Sequence, residues 1–269
     1  MLVDKPLEWT SFDACNALKG PLKRLGVAKV GHAGTLDPAA TGLLIICSGS
    51  GTKCINDFQG MEKEYTGTLK LGEGTPSLDS ETAVDVTLPW EHLSDEDLAG
   101  AAAKLTGDIE QVPPMFSALH HDGKRLHELA REGKTVERPA RPVTVHTFSV
   151  TRDASDRQLV HFRVTCSKGT YVRTLAHDLG TSLGSTAHLT ALRREAIGEY
   201  RVGDAWGAEE LRDAMYAAAQ DSGIDNSGKA KGGGGRRGGG RGRGGGRGRG
   251  GRGGGRDGGG GGGADGGSG

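Results

Sequence analysis

The chain has 269 residues with 34 Lys+Arg and 34 Asp+Glu, and this zero net charge conceals two opposite parts. Residues 228–269 hold 27 of the 49 glycines with 10 basic and 2 acidic residues, whereas residues 1–227 carry 24 basic and 32 acidic ones. Only the first part has the composition to bury a core, enough for one large or two small domains, and nothing in it reads as a membrane span or an export signal.

In chain order, Met1-Leu2-Val3-Asp4-Lys5-Pro6 lacks a signal-peptide pattern. A glycine-rich loop follows, Gly31-His32-Ala33-Gly34-Thr35-Leu36-Asp37-Pro38, then Ala39-Ala40-Thr41-Gly42 and the longest apolar run, Leu43 to Cys47. That run is far shorter than the roughly 20 residues a bilayer requires. An Asp before Pro is pushed towards extended backbone, and the glycines permit tight turns and close ligand approach. The loop can therefore hold the Asp37 carboxylate against a bulky substrate, although Asp-Pro is also a plain turn starter. Tyr65 to Leu71 reads as a strand. Ser94 and Asp97 form a capping box ahead of Leu98, Ala101, Ala102 and Leu105, which share one helical face. Val143 to Val150 reads as a strand, and Leu159 to Cys166 alternates with Val160, Phe162, Val164 and Cys166 on its apolar face. Leu175, Leu179 and Leu183 mark a helix closed by Gly184, and Glu209 to Ala219 form the last helix before a linker near Asp221. Strands and helices do not alternate regularly, so α+β is expected. Cys15, Cys47, Cys54 and Cys166 are scattered with no C-x-x-C pair, which reads as buried free thiols in a reducing cytoplasm and gives no zinc site.

The Asp37 loop resembles the catalytic motif of the TruB family of tRNA pseudouridine synthases, and other stretches match that family in the same order. They are Lys5-Pro6 with Thr10-Ser11, Lys63-Glu64-Tyr65-Thr66-Gly67 with Leu71-Gly72, and Gln111-Val112-Pro113-Pro114 with Phe116-Ser117-Ala118-Leu119. Gly123-Lys124-Arg125, Glu128-Leu129-Ala130-Arg131, Cys166 to Leu175, Asp178-Leu179-Gly180 and Leu192-Arg193-Arg194 continue the series. The resemblance covers nearly all of residues 1–200. It implies a mixed, largely antiparallel sheet with flanking helices and a catalytic cleft across it, in a catalytic domain over residues 1–220. It also implies isomerisation of uridine 55 in the tRNA T-loop to pseudouridine, with no cofactor and no metal, in the cytoplasm and by a monomer.

By the same resemblance Asp37 is the essential acid and Arg173 pairs with it. His32 packs against the RNA, Tyr65 stacks on the extruded base, Tyr171 closes the pocket, and Leu192 packs against the target base. An aspartate with a reference pKa of about 3.9 is ionised at neutral pH, so it serves as nucleophile or base without activation. A uridine inside a folded T-loop must first leave its stack. Two basic clusters, Lys19, Lys23, Arg24, Lys29 and Lys124, Arg125, Arg131, Lys134, Arg138, Arg141, read either as solvated faces or as phosphate contacts; in the family the second forms an RNA-gripping insertion. Departures from the family pattern are Glu8 for a glycine, His120 for a lysine and His127 for a tyrosine. After Trp206 there is room for one helix and the tail, so the C-terminal domain of PUA type found in many members is expected to be absent.

Residues 221–269 read as a disordered tail, because spaced arginines among glycines bury almost nothing against their ordering entropy. Such arginines neutralise phosphates in a salt-dependent way, which makes a non-specific RNA tether the favoured reading over a solubilising tail. Two rival functions stand beside the synthase: a non-catalytic RNA-binding protein or tRNA chaperone, and a guide-RNA-dependent relative.

Overall fold

A computed structural model describes residues 1–221. The expected disorder of the Gly/Arg-rich tail, apart from Asp221, falls outside the described residues. Contacts divide the chain into the units Met1–Lys231 and Gly232–Gly269.

The first half runs β1 (Leu2–Lys5), α1 (Ser11–Arg24), β2 (Val30–His32), β3 (Ala40–Ser48), α2 (Ile55–Gly60), β4 (Lys63–Leu71), β5 (Glu73–Gly74), β6 (Val86–Thr87) and α3 (Asp95–Lys104). It continues with β7 (Gly107–Gln111), β8 (His120–His121), β9 (Lys124–Arg125), α4 (Leu126–Arg131), β10 (Arg141–Arg152), β11 (Leu159–Cys166), α5 (Val172–Ser182), β12 (Ala187–Ile197), β13 (Tyr200–Arg201), β14 (Trp206–Gly207) and α6 (Ala208–Asp221). One 10-stranded sheet has the order β14-β1-β3-β12-β4-β11-β10-β7, with β2 on β3 and β13 on β12. Among the described strands only β1 with β14 and β3 with β12 run parallel, so the sheet is mixed and largely antiparallel.

Each anticipated strand and helix forms. The alternation of β11 buries Val160, Phe162, Val164 and Cys166, and these side chains join Leu98, Ala101, Ala102, Leu175 and Leu179 from α3 and α5 in the main core. The capping box at α3 is present, Ser94 Oγ accepting from the Asp97 N–H at 3.0 Å. A second core lies under α1, whose Ala14, Cys15, Leu18 and Leu22 pack on Val3, Leu44 and Ile46 at the i, i+3, i+4 spacing of one helical face. Helix α1 starts at a capping box of its own, Thr10 with Asp13.

The site is placed by the way β3 and β12 meet. They pair over three residues only, Leu192 to Arg194 against Ala40 to Gly42. On its other edge β12 pairs β4, setting Leu192 opposite Gly67 and Arg194 opposite Tyr65. The Asp37 loop therefore enters the sheet at the end of this short parallel ladder. Gly42 has φ 105°, and a Cβ there would stand 2.3 Å from the Arg194 carbonyl oxygen. No L side chain fits that approach, which explains a glycine immediately before the apolar run.

Candidate active site

The loop between β2 and β3 is braced on both sides of Asp37 by the N-terminal turn. Ser11 Oγ accepts from the Leu36 N–H at 2.8 Å and donates to the Leu36 carbonyl at 3.2 Å. The Glu8 N–H donates to the Pro38 carbonyl at 2.9 Å. Glu8 adopts φ 67°, the left-handed conformation that favours glycine, so the turn keeps its shape against the preference of the side chain. Lys5, fully buried, donates to the carbonyls of Pro6 and Trp9 and holds the same turn closed.

Asp37 faces a cleft of about 670 Å³, whose walls include Tyr65, Gln111, Tyr171, Arg173, Leu192 and Arg194. Five of the six anticipated site residues thus meet in one cavity. His32 is the exception: it ends β2, opposite Ile46 on β3, is half-buried, and is not among the residues that line the cleft. Burial lowers the pKa of its imidazole.

The anticipated ion pair is present, Arg173 Nε to Asp37 Oδ2 at 3.0 Å. Arg173 sits in the first turn of α5 with its side chain only 7 % exposed. It also donates to the carbonyls of Ser77 at 3.0 Å and Phe116 at 2.8 Å, and Asp79 Oδ2 lies 3.6 Å from its Nη1. One guanidinium therefore joins the Asp37 loop, the segment after β5, the segment after β7 and α5. Asp79 carried no sequence signal, since it stands in an ordinary Ser/Thr-rich turn.

The carboxylate of Asp37 opens onto solvent along one edge, with 38 % of its side chain exposed, while protein surrounds the rest. Burial pushes its pKa above the ordinary aspartate value; Arg173 opposes that shift, Asp79 and Glu81 add to it, and Lys5 opposes it. Arg173 thus acts to keep the carboxyl charged, as the pairing implies, and it does so against a desolvation penalty that is larger than its own effect.

Tyr65 comes from β4 and Tyr171 from the turn that opens α5. Burial pushes up the pKa of the Tyr65 phenol, and the nearby Arg194 opposes the shift. For Tyr171 burial again acts upward, against the Ser117 hydroxyl and Arg173. The backbone of Tyr171 is clamped by the Gln111 amide, which accepts from its N–H at 2.7 Å and donates to its carbonyl at 3.2 Å. Leu192, from β12, forms the floor between this cleft and an open groove on the sheet lined by Thr66, Thr68, Thr190 and Arg193.

The two basic clusters separate. Lys19, Lys23 and Arg24 lie on α1 and do not line the cleft; Lys19 covers the Phe12 ring at 4.5 Å and Arg24 the Tyr216 ring at 4.8 Å. From the second cluster Arg141 lines the cleft, as does Lys168, whereas Lys124, Lys134 and Arg131 pair with Glu132 and Glu81. His127 uses its ring to bond the Ser117 carbonyl at 3.0 Å. Among the described residues no group of three or more His, Cys, Asp or Glu side chains is placed to hold a metal ion, and no helix is long and apolar enough to cross a membrane.

Comparison with known proteins bears on this geometry. Residues 23–172 match the model of the TruB family pseudouridylate synthase N-terminal domain, and residues 173–227 match that of the tRNA pseudouridylate synthase B C-terminal domain. The described part of the second span builds α5, β12, β13, β14 and α6, so it completes the sheet. The chain is 50 % identical over 209 residues to the tRNA pseudouridine synthase B of Flavobacterium johnsoniae, covering 76 % of this chain and 90 % of that protein. It is 46 % identical over 215 residues to that of Parabacteroides distasonis, covering 79 % and 91 %. Among solved structures it is similar to a chain of a Cbf5-Nop10-Gar1 complex, with TM-score 0.61 and 25 % identity over 84 % of this chain and 57 % of that one. It shares its fold with a chain of an H/ACA RNP bound to a substrate RNA containing 2′-deoxyuridine, with TM-score 0.59 and 23 % identity over 84 % of this chain and 56 % of that one.

Proposed function

The chain belongs to the TruB family of pseudouridylate synthases, and from that premise we propose that it converts uridine 55 of the tRNA T-loop to pseudouridine unaided by guide RNA, with Asp37 as the essential acid. Isomerisation of a tRNA uridine is the activity that its relatives carry in name at 42–50 % identity over most of the chain. The observation that carries the site assignment is the Asp37–Arg173 pair at 3.0 Å in a cleft shared with Tyr65, Tyr171 and Leu192.

The chemistry needs few parts. The bond from C1′ to N1 breaks with its electron pair on the uracil, the base turns in the pocket, and C5 joins C1′. The proton leaves C5 and N1 gains one, so atoms and charge balance without an oxidant or reductant. Asp37, at the mouth of the cleft, serves as nucleophile or as base. Tyr65 and Leu192 hold the faces of the extruded base, because an aromatic ring and an aliphatic side chain replace the stacking lost from the T-loop. Tyr171 closes the pocket. His32, which does not line the cleft, supports the RNA outside the base pocket, and Arg141 and Lys168 at the cleft wall take backbone phosphates. The Arg/Gly-rich tail adds non-specific RNA affinity to a body of opposite net charge, and the protein acts as a monomer.

The test incubates the purified protein with an unmodified tRNA transcript labelled with tritium at uridine C5, with no guide RNA. Release of tritium from the T-loop uridine is expected. Tight binding without release moves the tRNA-chaperone or guide-dependent reading ahead.

A further inference from the structure

We propose that Arg194 is a positioning residue of this reaction: it ties the catalytic loop and Tyr65 to the sheet and sets an unneutralised positive charge behind the uracil as the bond to the sugar breaks. The inference rests on the proposed function above and concerns a side chain to which neither the resemblance nor that function gives a role.

Three observations carry it. Arg194 is 1 % exposed yet borders the cleft together with Tyr65 and Leu192. Its partners are carbonyls: Nε donates to Leu43 on β3 at 2.7 Å and Nη2 to Gly34 in the catalytic loop at 3.2 Å. It stands directly opposite Tyr65 in the β12–β4 ladder, a register that brings side chains on neighbouring strands into contact, and its charge opposes the upward push of burial on the Tyr65 phenol.

The contrast with Arg173 is one of charge. Arg173 faces two carboxylates, Asp37 and Asp79, and is neutralised by them. Among the described residues no carboxylate pairs with Arg194, and the buried amines of Lys5 and Lys63 near it are likewise bonded only to carbonyls. A buried cation without a counter-ion is costly, so its retention calls for a compensating role. When the C1′–N1 bond breaks heterolytically, the departing pair places negative charge on N1 and, by delocalisation, on O2 and O4. A fixed cation behind the pocket, itself buried and so weakly screened by solvent, stabilises that developing charge more than it stabilises the neutral uridine. The same two carbonyl bonds hold the height of the loop against β3.

The experiment compares wild type, Arg194→Gln and Arg194→Lys in single turnover on tRNA carrying uridine or 5-fluorouridine at the target position, read as loss of the parent nucleoside, because fluorine cannot leave C5 as the proton does and the second substrate halts at the C5-linked base. Nucleosides are separated by liquid chromatography after digestion, and tRNA affinity and melting temperature are measured in parallel. Fluorine makes the uracil anion intrinsically more stable, so its departure needs less help from the protein. Arg194→Gln is expected to slow the chemical step about 100-fold on uridine, with tRNA Kd changed less than threefold. The loss should shrink at least fivefold on 5-fluorouridine, and Arg194→Lys, which keeps the charge, should stay within about tenfold of wild type. Equal losses for the two variants and for the two substrates would overturn the proposal, leaving a packing role alone. Should Arg194→Gln fail to fold, a folded Arg194→Lys that loses more than 100-fold overturns it as well. An inactive wild type overturns the proposed function itself, which separates the two failures.

Discussion

Replacing Arg173 by methionine, close to it in length but uncharged, removes the node of the site. The side chain is 7 % exposed and has four partners, the carboxylates of Asp37 and Asp79 and the carbonyls of Ser77 and Phe116. The Asp37 carboxylate is 38 % exposed, so solvent screens its loss and little stability is assigned to it. The Asp79 side chain is 8 % exposed and is left beside two orphaned carbonyls, which places the cost with broken buried pairs at about 3–5 kcal/mol. For a folded part of this size that corresponds to a fall in melting temperature of about 6–20 °C. The sign of the pH dependence follows from Asp37. Burial already holds its pKa above the usual aspartate value with Arg173 opposing, so removing Arg173 raises it further. A carboxyl whose folded pKa is raised binds more protons in the folded state, and stability increases as pH falls through that pKa. The deficit of the variant, read by calorimetry, should therefore be larger at pH 7 than at pH 5, and Arg173→Met/Asp79→Asn should recover part of it at pH 7. A deficit below about 1 kcal/mol, or one unchanged between the two pH values, would refute the charge-node reasoning.

The remaining predictions test the supports of the site. Gly42→Ala must displace the Arg194 carbonyl, which an added Cβ would approach to 2.3 Å, and force a side chain onto φ 105°; a loss of at least about 2 kcal/mol is expected in denaturant titration. Glu8→Gly removes the strain of a non-glycine residue at φ 67° and should raise stability by about 0.5–1 kcal/mol with activity retained; a lower midpoint would show that the Glu8 side chain contributes something its backbone conceals. Deleting residues 228–269, which carry 10 of the 34 basic residues, should weaken tRNA binding and flatten its salt dependence, since each released phosphate contact removes roughly 0.7–0.9 from the slope; an unchanged affinity and slope would remove RNA tethering from the tail's roles.

What could be read in the sequence follows from where the relevant forces are local. Strand β11 was legible because one face is core and the other is not, so its burial alternates residue by residue. Helix α3 was legible through its capping box and four apolar positions. Strand β12 was hidden, because register shifts between Leu189 and Ala191 and between Arg194 and Ala196 break its alternation. For the same reason the adjacent arginines look alike in sequence, yet Arg193 reaches Asp4 at 2.7 Å on a half-exposed face while Arg194 is buried. Helix α1 contains Gly20 and Pro21, which argue against a helix locally, and it forms because Leu18 and Leu22 pack under β1 and β3. Motif order singled out Asp37, Tyr65, Tyr171, Arg173 and Leu192, which line one cleft, whereas Asp79 reaches Arg173 across 94 residues of chain, a juxtaposition that no local pattern encodes.

The most direct test of the account is pseudouridine mapping by carbodiimide modification and primer extension on one unmodified tRNA transcript, treated with wild type or Asp37→Asn. Because burial raises the Asp37 pKa, the ionised carboxylate costs stability at neutral pH, and the variant should melt no lower than wild type at pH 7. It should bind the tRNA as wild type does. Pseudouridine at the T-loop position with wild type, and none with this folded variant, is the predicted result. Pseudouridine formed equally by both proteins would contradict the assignment of Asp37 as the essential acid.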